Sequence, residues 1–376
     1  MAKAATSTMG KRESGVELFR IIAMLSIVAH HYVVNSGVSA LVDADGFTVK
    51  ALFHHLFGMW GKTGINCFVM ITGYFMCTSN ITLRKFLKLV LEVIFYKAVI
   101  ATIFILAGYG HFTPYFILNF WPVTSVATGF VAAFILFYLC IPFLNILTRH
   151  MTKRQHQQLV ALLLFMYTVM PLITIFPVVF NYVSWFCTLY FIASYIRLHG
   201  EETVWIKKCN WRAAAIISLV AAFASVAAIV YVNSRWGKAI YPYFFVSDSN
   251  KILALTTAVC TFMAFKTWPL AYSKAINEVA ATMFGVLLIH AHSNTMRHWL
   301  WREVVDVKGI FPTDYYWAYA IGVVLAIFVI CIVIDWVRIH TIEKQAFKYI
   351  DRYIGQRKGG AIIQEMPPSS SQSDHK

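Results

Sequence analysis

The chain has 376 residues, 59% of them hydrophobic and only 13% charged, against about 25% charged in an ordinary soluble domain. That balance excludes a water-soluble globular domain, because a chain this apolar needs lipid around most of its helices. The formal charge of +15 would suit a nucleic-acid binder, but the lysines and arginines sit in short clusters between apolar runs. No nucleic-acid partner is expected.

Residues 1–12 are small and basic without periodicity, which predicts a flexible cytoplasmic arm. Runs able to cross about 30 Å of hydrocarbon follow at 16–34, 57–77, 86–107, 126–147, 158–177, 180–197, 213–233, 252–269, 281–297 and 318–338. They are continuously apolar rather than alternating, which predicts helices and not a barrel. The fold class expected is all-α, a polytopic membrane protein with about ten transmembrane helices spanning 13–345. The fifth and sixth runs are parted only by a few residues around Pro177. With the arm inside, Arg84, Lys85 and Lys88, then Arg149, Lys153 and Arg154, then Lys207, Lys208 and Arg212 fall on the same side. The basic C-terminal segment joins them, and the positive-inside bias predicts N-in and C-in. Residues 346–376 are expected to be a cytoplasmic tail, disordered from about 359, where Pro-Pro and a serine run occur. The seven cysteines form no CxxC pair and support neither a disulfide frame nor a zinc site.

Polar residues inside apolar runs are costly in lipid and so are functional candidates. In the first run Arg20 precedes His31 by eleven residues, about 16 Å along a helix and nearly on one face. An arginine at the cytoplasmic mouth would hold an anionic group while the imidazole acts on the far end of the same substrate. A snorkelling arginine and a histidine bonded to a neighbouring helix would produce the same pattern. In the second run Asn66, Thr72 and Tyr74 are polar, and Gly64 and Gly73 allow close backbone approach; helix packing is the competing explanation. Lys88 and Glu92 are spaced for an i, i+4 pair, with Lys97 a further turn on. Arg84, Lys85 and Lys88 suit positive-inside anchoring and are also placed to meet nucleotide phosphates. The ninth run holds His290 and His292, which point in different directions on one helix. With no carboxylate at similar depth in these two runs, no metal is expected. Asp335 and Arg338, spaced i, i+3, suit a local pair.

These residues carry a resemblance. GVELFRIIAMLSIVAHHY, with Arg20 and His31 enclosing ten residues, resembles the leading motif of the acyltransferase 3 family of integral membrane acyltransferases. GINCFVMITGYF, with Thr72, Gly73 and Tyr74, is similar to its glycine-rich second helix. Arg84, Lys85 and Lys88 match the basic opening of its third, and IPFLN at 141–145 and LYFIASYIRL at 189–198 also look like it. INEVAATMFGVLLIHAHS resembles the late helix ending in Leu-Ile-His, with His290 as that histidine and Leu287 where the family usually has tyrosine. The closest branch in character O-acetylates bacterial surface polysaccharides and exopolysaccharides.

The resemblance implies an O-acetyltransferase in the cytoplasmic membrane of a bacterium. It would move an acetyl group from cytosolic acetyl-CoA to a hydroxyl of a surface glycan or its lipid-linked precursor. His31 would be base or acyl carrier. Arg20, Arg84, Lys85 and Lys88 would hold the phosphates of coenzyme A, and Asn66, Thr72, Tyr74 and His290 would contact substrate. A multi-pass transporter or flippase of lipid-linked sugars, or a non-catalytic scaffold, are the alternatives; a transporter would be marked by inverted repeats and by broken helices with paired acidic residues.

Overall fold

The computed structural model describes residues 13–109, 121–123, 129–173 and 180–354. The expectations for residues 1–12, for the turn at Pro177 and for the tail beyond 354 lie outside them. Among the described residues the chain is helical and forms no strand. Helix α1 is Ser14–Asn35, and short helices α2 (Ser39–Ala44) and α3 (Val49–Gly58) lead to α4 (Gly61–Met76). Next come α5 (Leu83–Leu106), α6 (Phe130–His150) and α7 (Lys153–Leu164), the last prolonged by π and 3-10 turns to Leu172. Then α8 (Tyr182–His199), α9 (Val204–Lys208), α10 (Trp211–Trp236) and α11 (Ile252–Lys266) follow. The chain ends in α12 (Lys274–Ala281), α13 (Met283–His290), α14 (Asn294–His298), α15 (Val307–Ile310), α16 (Tyr316–Arg338) and α17 (Lys344–Ile354).

Local sequence sets several helix starts. The side chains of Thr82, Asn181, Asn210 and Ser273 each accept a bond from the first turn of the helix that follows, and Thr152 with Gln155 closes a full capping box on α7. Gly237, at φ +58°, ends α10 in the left-handed conformation.

The described parts of the ten apolar runs lie mainly on helices, but these are unequal. Among the described residues five helical segments are long and apolar enough to cross a membrane: Ser14–Asn35, Leu83–Leu106, Phe130–His150, Trp211–Trp236 and Tyr316–Arg352. A sixth is added if Lys274–His290 and Asn294–Ile310, bent by 91°, count as one span. That bend corrects the expectation of a continuous ninth helix over 281–297. Ser293 accepts a bond from the Met296 amide and starts a new helix in the middle of the run. Exposed Ile321, Leu325, Val329, Ile330 and Val333 make the outer face of α16 apolar, and Ile216, Ile217 and Val220 do so for α10. Such faces are solvated by lipid, and the chain is an integral membrane protein.

Helix α1 is the hub, packing against α3, α4, α11, α12, α13 and α16. Gly64 allows its approach to α4, since a Cβ there would stand 2.7 Å from Ile27 Cγ1. Gly73 does the same for α8, with a Cβ 3.1 Å from the Tyr190 Cα. An ionic cluster joins α5, α16 and the start of the C-terminal segment. Arg338 meets Asp335 at 2.7 Å, Glu343 at 2.8 Å and Glu92 at 3.0 Å. The expected Asp335–Arg338 pair forms. Lys88 does not pair with Glu92 as its spacing suggested; it reaches Glu343 at 2.6 Å, because Arg338 from another helix already faces Glu92.

Candidate functional site

The C-terminal half of α1, the starts of α4 and α6, the middle of α5 and the end of α13 surround a cavity of about 360 Å³. His30, His31, Lys62, Lys97, His292 and Arg297 are its polar lining. His31 Nδ1 lies 2.9 Å from His290 Nε2, and His290 Nδ1 lies 2.6 Å from the Val286 carbonyl oxygen.

This chain of contacts fixes the tautomers of a neutral pair. A carbonyl only accepts, so His290 carries its proton on Nδ1 and keeps a lone pair on Nε2. His31 must then donate from Nδ1, which leaves its own lone pair on Nε2, on a ring that lines the cavity. The helix supplies the anchor: the bond from position 290 to the carbonyl at 286 spans one turn, so the backbone of α13 orients His290 and His290 orients His31. His290 is fully buried. An imidazole held in that tautomer can take a proton from a hydroxyl, and the His31–His290 bond then delocalises the charge that results.

His30 is fixed in parallel, its Nδ1 donating to the Gly58 carbonyl at 2.5 Å. Its ring fills the space beside Gly61, where a Cβ would stand 2.3 Å from His30 Cδ2. Among the described residues no group of three His, Cys, Asp or Glu side chains is arranged to hold a metal ion.

The other sequence candidates do not line this cavity with His31, and His290 stands buried behind that ring. Arg20 pairs with the buried Glu17 at 3.2 Å, one turn back on α1. Asn66 is fully buried as a bridge, donating to the Ser249 carbonyl at 2.7 Å and accepting from Trp185 Nε1 at 2.9 Å. Thr72 donates to Phe68 of its own helix at 3.1 Å. The Tyr74 hydroxyl accepts from Arg197 at 2.8 Å, and Arg197 also reaches Glu13 at 3.3 Å. Arg84 donates to both carboxylate oxygens of Asp351 on α17, at 2.8 and 3.2 Å. Lys85 holds Ser79 Oγ at 2.7 Å and the Asn80 carbonyl at 2.9 Å.

Two further residues of the lining, Lys62 and Arg297, were not among the candidates that the sequence singled out. The signal for Lys62 was present, since it opens the same motif, GKTGINCF, that carries Asn66. Arg297 was hidden by the break after His290. At the other end of α1 a second cleft, of about 560 Å³, is lined by Lys207, Arg212 and Lys266 together with Glu201. Gly15 marks that end, packed so closely on α11 that a Cβ would stand 2.6 Å from the Phe265 carbonyl oxygen.

An all-helical bundle with lipid-facing helices and an internal polar cavity defines a membrane protein with its site inside the helix bundle. A family model described as an acyltransferase domain matches residues 13–336, most of the chain. The protein belongs to that family, acyltransferase 3, and is a membrane acyltransferase. No curated protein and no solved structure matches it.

Proposed function

We propose that the protein is an O-acyltransferase that moves an acetyl group from cytosolic acetyl-CoA to a hydroxyl of a cell-surface polysaccharide or its lipid-linked precursor. The observation that carries this reading is the His31–His290–Val286 chain at the cavity wall. His31 Nε2 takes the hydroxyl proton as the acceptor oxygen attacks the thioester carbonyl. The carbon–sulfur bond then breaks, and the coenzyme A thiolate leaves with the proton returned by His31. His290 positions the base and shares its charge.

The ten apolar helices are taken as ten spans with both termini in the cytoplasm, in a bacterial cytoplasmic membrane. The donor nucleotide then meets the end where α1 begins. Arg20 holds its phosphates there, with Arg84, Lys85 and Lys88 at the opening of α5. Asp351 and Glu343, now paired with Arg84 and Lys88, must yield when coenzyme A binds. Asn66 and Tyr74 act through their bonds to Trp185 and Arg197, keeping α4 in register with α8, while Thr72 bonds within α4.

One feature favours a transporter instead: a broken helix, α13–α14, whose Gly285 packs on Asp335, which shares Arg338 with Glu92. Radiolabelled acetyl-CoA separates the two readings. Purified protein in nanodiscs, given membrane glycans as acceptor, is expected to release free coenzyme A and label the glycan. Sugar movement across proteoliposomes with no coenzyme A binding would overturn the transferase reading.

A further inference from the structure

We infer that the acceptor is anionic, and that the cavity beside His31 holds a phosphate or carboxylate which the acceptor glycan carries. This rests on the acyltransferase reading and names its second substrate by class. Three cations from three separate elements converge on the cavity: Lys62 from α4, Lys97 from α5 and Arg297 from α14. No carboxylate is among the described residues that line it. Lys62 donates to the Tyr182 hydroxyl at 2.5 Å, and Lys97 counts the Trp121 carbonyl, at 2.8 Å, among its contacts. The Tyr182 hydroxyl that Lys62 meets is a neutral acceptor. The Nε of Arg297 is closed off from solvent and meets no acceptor among the described residues.

Gathering like charges around a half-buried space is costly unless an anion completes it. The backbone adds to the same field. Helices α4 and α6 both begin at the cavity wall, at Gly61 and Phe130, and neither has a side-chain cap on its first amides. Arginine beside lysines is the set that recognises phosphate and carboxylate, the arginine through its planar fork.

The place of this charge separates it from the donor's. Basic groups for a nucleotide already stand at the end where α1 begins, among them Arg20 and the cleft of Lys207, Arg212 and Lys266. The cations of the cavity share their space with His31, toward the end where α1 finishes. An oxyanion bound there sets a neighbouring sugar hydroxyl against the imidazole. It also offsets the positive charge that His31 gains on taking the hydroxyl proton. The oxyanion has two possible sources, a carboxylate on the sugar itself or a phosphate that links the sugar to a lipid or to the next residue.

Steady-state kinetics on the full chain in nanodiscs test this with four acceptors: a uronic-acid oligosaccharide, its carboxyl-reduced neutral counterpart, a glycan phosphodiester and its dephosphorylated form. One charged acceptor is expected to exceed its neutral counterpart by about tenfold or more in kcat/KM, and which one identifies the source. Arg297→Gln and Lys62→Gln are expected to raise the KM of that charged acceptor about tenfold while the KM of acetyl-CoA stays within about twofold. Arg297→Lys should recover part of the loss. Equal use of charged and neutral glycans overturns the inference, and so does a rise confined to the KM of acetyl-CoA, which would assign these cations to the donor. Calorimetry with the charged oligosaccharides and no donor keeps the two readings apart. Binding that Arg297→Gln abolishes, in a wild type that never releases coenzyme A, would support the anion site and sink the acyltransferase reading. Equal binding of the charged and neutral forms would sink the anion site.

Discussion

At the scale of single residues, the site rests on a hydrogen bond between two imidazoles that lie 259 positions apart in the chain. His290→Ala removes the partner that fixes the tautomer of His31. It should lower kcat by about a hundredfold or more while the KM of acetyl-CoA changes little; a fall in donor affinity with kcat intact would place His290 in binding instead. Gly61→Ala drives a methyl group into the His30 ring, a clash that costs about 1–3 kcal/mol in a packed interior. A lowered unfolding temperature together with lowered activity is the expected outcome, and a silent substitution would show that the ring moves freely. The histidines were legible in the sequence because histidine is conspicuous in apolar runs. Their pairing was not, since spacing along one helix says nothing of the depth at which another helix meets it. For the same reason Arg20 and His31 share a helix face without sharing the cavity: Arg20 turns to Glu17 within its own first turns.

At the scale of elements, two features escaped the reading by apolar length. Ser293, an ordinary N-cap residue, breaks the run 281–297 and turns α14 across α13, which carries Arg297 to the cavity wall. Run length also says nothing of residues 344–354, which form a helix whose Phe347 is buried and whose Asp351 holds Arg84. Alternating charge and apolar residues within KQAFKYIDRYI gave the amphipathic signal for it. The ionic cluster on Arg338 ties this segment to α5 and α16. Arg338→Ala leaves Glu92 and Asp335, 8% and 0% exposed, without their cation, and should destabilise the fold by about 3–5 kcal/mol. Thermal unfolding in nanodiscs checks it; an unchanged midpoint would mean that these carboxylates do not depend on Arg338. Gly285 belongs to the same arrangement, since a Cβ there would overlap the Asp335 carboxylate.

At the scale of the whole molecule, the helical membrane architecture was legible from composition and run length, because lipid requires both. The number of spans is less directly written: α4 has 16 residues and α11 only 15, shorter than a full crossing, yet both pack inside the bundle against α1. The proposed orientation, with both termini in the cytoplasm, predicts that a fluorescent protein fused after residue 376 folds and fluoresces in bacterial cells, whereas an exported alkaline phosphatase at the same place stays inactive. The reverse pattern would overturn the orientation and with it the side from which acyl-CoA arrives. The measurement that bears most directly on the central claim is acceptor-dependent release of coenzyme A from acetyl-CoA by wild type and His31→Ala, both checked for the same unfolding midpoint. Release by the wild type and loss of it in His31→Ala, with acetyl-CoA still bound, is the expected result. A folded His31→Ala protein that transfers acetyl groups at the wild-type rate would contradict it.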